Sequence, residues 1–306
     1  QPKINERLGI AMGIDEESLK SAIKENPHAK AVFLINPTYY GAVSDLKSLV
    51  RIAHRHEMAV LVDEAHGAHM CFHDDFPLTA MEVGADMSAT SLHKTAGSMT
   101  QSSALLLRGG LISPEKTKEV LNLTYTTSAS YLLMSSLDVA RKQLATEGSE
   151  LLENALNLAR MARDEINKIE GLYAFGKELI GTPGVHDFDE TKLGINVSRL
   201  GYTGYEMETK LRKEYNIQIE LSDMCNILAI ISIGDNEKNI TALIDALKDI
   251  ASQSEINEYK NPPMVLQNPN MIVSPRDAFY SPKKKVPLEE SAGEIAGEMI
   301  MAYPPG

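Results

Sequence analysis

Apolar runs that stop at chemically equipped residues constrain this chain most. Residues 31–36 (AVFLIN) form a continuous apolar run that closes on the turn signal Asn36-Pro37, and residues 59–63 (AVLVD) form a second that closes on Asp63. Between them lies an amphipathic stretch, with Ser44 and Asp45 as its cap and Leu46, Leu49, Val50 and Ala53 at helical spacing. Continuous apolar strands alternating with amphipathic helices predict an α/β fold with a mainly parallel sheet covered by its crossovers. Residues 85–90 and 103–108 supply a third and fourth strand candidate, and residues 76–83 read as a short helix closed by Gly84. Right-handed crossovers bring the C-terminal ends of neighbouring strands to one edge, where open α/β sheets bind their ligands.

The second half carries a different pattern. Residues 131–170 are strongly helical, with an interruption expected at Gly148-Ser149. Beyond Gly171 the order is strand (194–197), helix (204–215), strands (217–221 and 227–233) and helix (236–251), a small α+β unit with a mostly antiparallel sheet. A Pro-rich stretch from Asn261 leads into an amphipathic segment, residues 288–301. The expected organisation is a partial large domain (1–150), a helical connection with the small domain (151–260) and a C-terminal segment (261–306), in keeping with a length of 306 residues.

Composition removes several function classes. A hydrophobic content of 43% supports a packed core and excludes a disordered tail. Asp and Glu number 42 against 30 Lys and Arg, so general attraction to nucleic acid or to an anionic membrane is not expected. Cys71 and Cys225 are the only cysteines, which points away from a disulfide framework and toward a reducing, cytoplasmic setting. No apolar run approaches the length of a membrane helix, and the N-terminus has no signal-peptide pattern.

Two clusters at the predicted strand ends carry chemistry: residues 63–69 (DEAHGAH) and residues 91–98 (SLHKTAGS). Asp63 and Lys94 lie 31 residues apart, about the length of one β-α-β unit, so a carboxylate and an amine can face one crevice. Pyridoxal phosphate (PLP) chemistry needs that pair: an amine to join the cofactor aldehyde, and a carboxylate to keep the ring nitrogen protonated. Taken singly, Lys94 reads as a solvated loop lysine and Asp63 as a strand-ending turn residue; the joint pattern carries the expectation. A competing metal site would use His66, His69 and His73 with Asp63, Glu64 and Asp74. Gly67 weakens the helix that such spacing would require.

DEAHGAH followed by SLHKTAGSMTQSS resembles the major domain of the Orn/Lys/Arg decarboxylases, PLP enzymes of fold type I. The likeness continues through INPTYYG (35–41), LTYTTSASYLLMSSLD (123–138), LGYTGYE (200–206) and SPRDAFY (274–280), and it ends in AYPPG, where Ala302 stands in place of the family's usual Pro. Among members, the chain is most similar to the shorter bacterial arginine decarboxylases. The resemblance implies that Lys94 is the Schiff-base lysine and Asp63 the partner of the pyridinium nitrogen. It also implies that Ala65 packs on the ring and that His66 belongs to the cofactor site. Ser91 and His93 then lie near the phosphate, with His93 also near the reacting centre, while Thr126, Thr127 and Ser128 approach the phosphate across a dimer interface. Glu220 and Asp223 are candidates for contacting substrate, with a solvated strand end as the alternative. The implied reaction is decarboxylation of a basic amino acid, arginine to agmatine first and lysine to cadaverine second, by a homodimer or higher homo-oligomer. An aminotransferase and an inactive fragment are the alternatives. Residues 1–31 show no counterpart of the family's phosphate-cradling turn and ring-stacking residue. The chain therefore reads as a member lacking its front and extreme end, expected to bind PLP weakly by itself.

Overall fold

All four apolar runs of the first half fold as strands of one sheet: β1 (Ala31–Ile35), β2 (Ala59–Asp63), β3 (Met87–Thr90) and β4 (Ala104–Leu107). The computed structural model describes residues 2–258 and 272–297. Their spatial order is β1-β2-β3-β4. The first three are mutually parallel, and β4 returns antiparallel to β3. Asp63 stands opposite Ile35 on one neighbour and Ala89 on the other, so three strand ends open along one edge.

Helices α1 (Glu16–Glu25) and α2 (Leu46–Arg55) cover one face of this sheet. Leu19, Ile23, Leu49, Val50 and Ala53 pack there with Leu34, Val60 and Val62. Each helix begins where an aspartate accepts a hydrogen bond from a first-turn amide, Asp15 from Ser18 N and Asp45 from Ser48 N. The period-2 alternation of the strands turns Phe33 and Ile35 to the opposite face, where they are 66% and 60% exposed. Asp63, in register with Ile35, belongs to that open face.

Residues 76–83 form turns rather than the expected helix. Pro77 denies the segment one amide donor, and the Glu82 carboxylate accepts from both the amide and the hydroxyl of Thr79, closing a single turn. Gly84, at φ +90°, then leads into β3.

Another departure concerns Gly148. The expected interruption is absent, and α5 (Tyr131–Ile166) runs unbroken through it. A Cβ on Gly148 would stand 3.2 Å from Phe72 Cβ, so glycine lets the helix approach the segment after the DEAHGAH cluster. Packing of Leu144, Leu152 and Leu156 with Met70 and Phe76 outweighs glycine's helix penalty of about 1 kcal/mol. Residue 150 lies inside α5, whose later half enters a second core. Between β4 and α5, a Ser113-capped helix, α4 (Pro114–Thr124), was not anticipated.

The second core is built on an antiparallel sheet of order β7-β8-β6-β5, comprising β5 (Tyr173–Phe175), β6 (Lys192–Asn196), β7 (Leu221–Ser222) and β8 (Asn226–Ile230). The strand expected over 217–221 begins only at Leu221. Helices α6 (Gly204–Glu214) and α7 (Glu237–Ser252) pack on this sheet beside α5. A reciprocal capping box of Thr203 and Glu206 starts α6.

Two compact units divide the chain, Gln1–Pro262 and Pro263–Gly306. In the second, Ser274 caps a short helix, α8 (Pro275–Tyr280). Of the amphipathic segment 288–301, Leu288–Glu290 forms one 3₁₀ turn and residues 291–297 are not helical. Its remainder, the AYPPG tail and the Pro-rich stretch up to residue 271 lie outside the described residues.

Candidate active site

Both chemistry-bearing clusters emerge at the same sheet edge. The backbone ladder continues one residue past β2, with Glu64 N donating to Ala89 O and Asn36 N to Asp63 O. Asp63 Oδ1 accepts from the Ala65 amide at 3.0 Å, and among the described residues no hydrogen bond engages its Oδ2. The next carboxylate turns inward. Glu64 is buried, accepts from Ala80 N at 2.7 Å and from Ser88 Oγ at 2.8 Å, and has its pKa raised to about 7 by burial.

Lys94 lies on a single helical turn, α3 (Leu92–Thr95), directly after β3 and ahead of α4. Gly97 at φ +84° stops the turn, and His93 holds the following loop, with its Nδ1 2.7 Å from Ser102 O. Ser91 occupies the N-cap position without a side-chain cap bond. Lys94 remains solvent-accessible, and its Nζ lies 3.2 Å from Nε2 of the buried His66. Burial first, then the charges of Lys192 and Lys94, depress the His66 pKa to about 3. A neutral imidazole accepts at Nε2, leaving the proton on Nδ1, a buried atom with no hydrogen-bond partner.

Tyr39 completes this corner. Its ring lies 4.3 Å from the His66 ring, tilted by 52°, and its hydroxyl donates to Glu220 Oε1 at 2.7 Å. Glu220, directly before β7, is thereby joined through Tyr39 and His66 to Lys94. Asp223 is differently employed: its carboxylate accepts from the Cys225 and Asn226 amides, from Asn226 Nδ2 and from the Tyr40 hydroxyl. It organises the β7–β8 turn. Thr126, Thr127 and Ser128 lie on the exposed connection between α4 and α5; none bonds to Asp63, His66 or Lys94, and Ser128 N donates to Thr126 Oγ1.

Sequence reading missed a buried charged group behind His66. His69 Nε2 and Lys192 Nζ stand 3.2 Å and 3.6 Å from Asp189 Oδ2, with the Asp189 and Lys192 side chains wholly buried. Burial opposes the Asp189 charge, but His69 and Lys192 prevail and hold its pKa below the usual carboxylate range. Burial pushes Lys192 down. Arg163 fixes the segment by donating to the carbonyls of Phe175, Glu190 and Lys192. The sequence signal was Lys192 beside Leu193, a cation entering a strand that is buried throughout. For Tyr39 the signal was its place just beyond the end of β1, on the edge that carries Asp63.

The histidines considered for a metal have separate partners: His66 with Lys94, His69 with Asp189, and His73 with Glu153 at 3.0 Å. Among the described residues, no group of three or more His, Cys, Asp or Glu is placed to hold a metal ion. No helix among them is long and apolar enough to cross a membrane.

The residues fit PLP. A carboxylate oxygen on Asp63 with no hydrogen bond among the described residues, small Ala65 beside it, and the Lys94 amine next to a neutral imidazole supply the partners that the ring nitrogen and the aldehyde of that cofactor require.

Fold and site together define an α/β protein with the fold type I architecture of PLP-dependent enzymes. Solved structures show the same fold. The constitutive lysine decarboxylase of E. coli aligns with TM-score 0.67 and 18% identity over 82% of this chain and 42% of its own. An alanine–glyoxylate aminotransferase from Nostoc sp. aligns with TM-score 0.59 and 16% identity over 78% of this chain and 65% of its own. The family profile for the major domain of Orn/Lys/Arg decarboxylase matches residues 1–239, and the chain belongs to that family. It is 48% identical, over its whole length, to an arginine decarboxylase of Bacillus subtilis (strain 168), and spans 63% of that relative.

Proposed function

We propose that this chain forms the catalytic part of a PLP-dependent decarboxylase of a basic amino acid, with arginine converted to agmatine. The contact of Lys94 Nζ with His66 Nε2, at the strand edge that also carries Asp63, supports the chemistry most directly. The substrate choice rests on the 48% identity to an arginine decarboxylase.

Asp63, Ala65, His66, Ser91, His93 and Lys94 are the residues assigned to the cofactor, with Thr127 and Ser128 assigned to its phosphate from a neighbouring subunit. When bound, PLP supplies an aldehyde for the amine and a ring that withdraws electrons from the bond to the carboxylate. Asp63 would hold a proton on the ring nitrogen. His66 stays neutral and accepts at Nε2, so it orients the Lys94 amine without adding a charge beside it. Lys94 and His93 are the groups that move protons at the reacting carbon. Glu220, whose Oε1 accepts from the Tyr39 hydroxyl, is the carboxylate that meets the cationic end of the substrate. A homodimer or higher homo-oligomer is part of this reading; exposed Phe33 and Ile35 on the face that carries Asp63 form apolar surface that favours being covered.

Carbon dioxide and amine are to be assayed for PLP-loaded protein given arginine, lysine or ornithine. The reading requires agmatine and carbon dioxide from arginine, lost by more than about a thousandfold in Lys94→Ala. A keto acid without carbon dioxide would replace it with aminotransfer.

A further inference from the structure

The sheet has a second equipped edge. Helix α2 places Lys47, Arg51 and Arg55 at successive i, i+4 positions, on the side away from its buried Leu49 and Ala53. Arg108, at the end of β4, extends over Gly84, where a Cβ would stand 2.2 Å from the Arg108 Nη1. With Ser48, Val50, His54 and Val83 these residues line an open groove of about 580 Å³, within the size range of small-molecule sites. Five cationic or titratable nitrogen-bearing side chains thus converge on a chain whose net charge is −12.

Their pairing is incomplete. His54 is bound to Asp86 at 2.8 Å, and Arg51 reaches Ser48 Oγ at 3.2 Å. Arg51 also feels Glu16 and Asp45, but Glu16 has Lys20 at 3.0 Å and Asp45 caps the helix. Lys47, Arg55 and Arg108 have no ion pair among the described residues. Lys47 sits in the first turn of α2, where a cation opposes the helix dipole, and like charges four residues apart repel.

Topology separates the groove from Asp63 and Lys94. Arg108 N donates to Asp86 O just before β3 begins, whereas Asp63 and Lys94 stand at and beyond strand ends on the other edge. A cationic substrate would be repelled here.

We propose that this groove binds a phosphorylated small molecule. Arg51, Arg55 and Arg108 offer planar forks to phosphate oxygens, and Lys47 adds a point charge. The inference is independent of the decarboxylase reading.

The test is calorimetric titration of inorganic pyrophosphate into PLP-saturated protein, so that the cofactor's own phosphate site is filled. The expected result is saturable one-to-one binding with Kd below about 1 mM, weakened at least about tenfold in the Arg51→Gln/Arg108→Gln double variant. Arg108→Lys should retain part of the affinity. Absence of saturable binding to the wild-type protein, or equal affinity in a folded double variant, overturns the proposal. Binding of polyglutamate without pyrophosphate binding also overturns it, in favour of an acidic protein partner. If the double variant loses its circular dichroism, the single variants Lys47→Gln and Arg55→Gln decide: at least about threefold weakening supports the groove, and unchanged affinity rejects it.

Discussion

Lys94 Nζ and His66 Nε2 stand 3.2 Å apart, and the imidazole in that contact is neutral because burial and two nearby lysines disfavour its protonation. Its folded pKa of about 3 lies below the free value of 6.5, so the unfolded chain binds the extra proton between those values. Stability from this group is complete above pH 6.5 and falls as the pH drops toward 3, by up to about 5 kcal/mol. His66→Gln retains an acceptor for Lys94 but cannot titrate. Denaturant midpoints at pH 7, 5 and 4 should fall less steeply for this variant than for wild type, and parallel curves would reject a buried neutral imidazole.

Glu64 has the opposite sign. Its folded pKa of about 7 exceeds the free value of 4.5, so its stabilising contribution is complete below pH 4.5 and is lost as pH rises through 7. The loss approaches about 3 kcal/mol. Glu64→Gln keeps an acceptor for Ala80 N and a polar neighbour for Ser88 Oγ while removing the buried charge. The variant should be more stable than wild type at pH 8, with the difference vanishing near pH 4.5 in urea unfolding.

Legibility followed the range of the interactions. β1, β2 and the Asp45 cap of α2 were readable because apolar runs and caps act within a few residues. The motifs around Asp63 and Lys94 were readable because each follows directly on its strand. Gly148 misled because its role is a distant approach to Phe72, which no local propensity records. The same holds for Tyr39 with Glu220 and for His69 with Asp189, which join segments far apart in the chain.

Gly41 is predicted to be intolerant of a side chain. Its φ is +92°, and a Cβ would stand 2.8 Å from Asp189 O and 2.9 Å from Lys192 Cβ. Gly41→Ala should cost about 2–3 kcal/mol through strain and overpacking together. Gly109 is the control, with φ +87° and nothing within 4 Å of a built Cβ, so Gly109→Ala should cost about 1 kcal/mol. Equal losses in chemical denaturation would remove the packing component.

Asp63→Asn should fold normally, since an amide oxygen can still accept from Ala65 N. On the proposed assignment, the ring nitrogen of bound PLP would then lose the partner that keeps it protonated. Decarboxylation should fall by about a hundredfold or more with little change in melting temperature. Near-wild-type turnover would remove Asp63 from the proposed site.

Glu220 supplies the specificity prediction. Tyr39 donates to its Oε1, and on the proposed assignment the carboxylate meets a guanidinium or ammonium group. A charge-assisted hydrogen bond is worth about 1.5–3 kcal/mol, so Glu220→Gln should raise KM for arginine by about 10- to 100-fold with a smaller change in kcat. Tyr39→Phe frees Oε1 and keeps the ring against His66, so it should change KM by less. Steady-state kinetics on both variants separates the roles: a fall in kcat at constant KM in Glu220→Gln would assign the carboxylate to chemistry at the reacting carbon and take it out of substrate recognition.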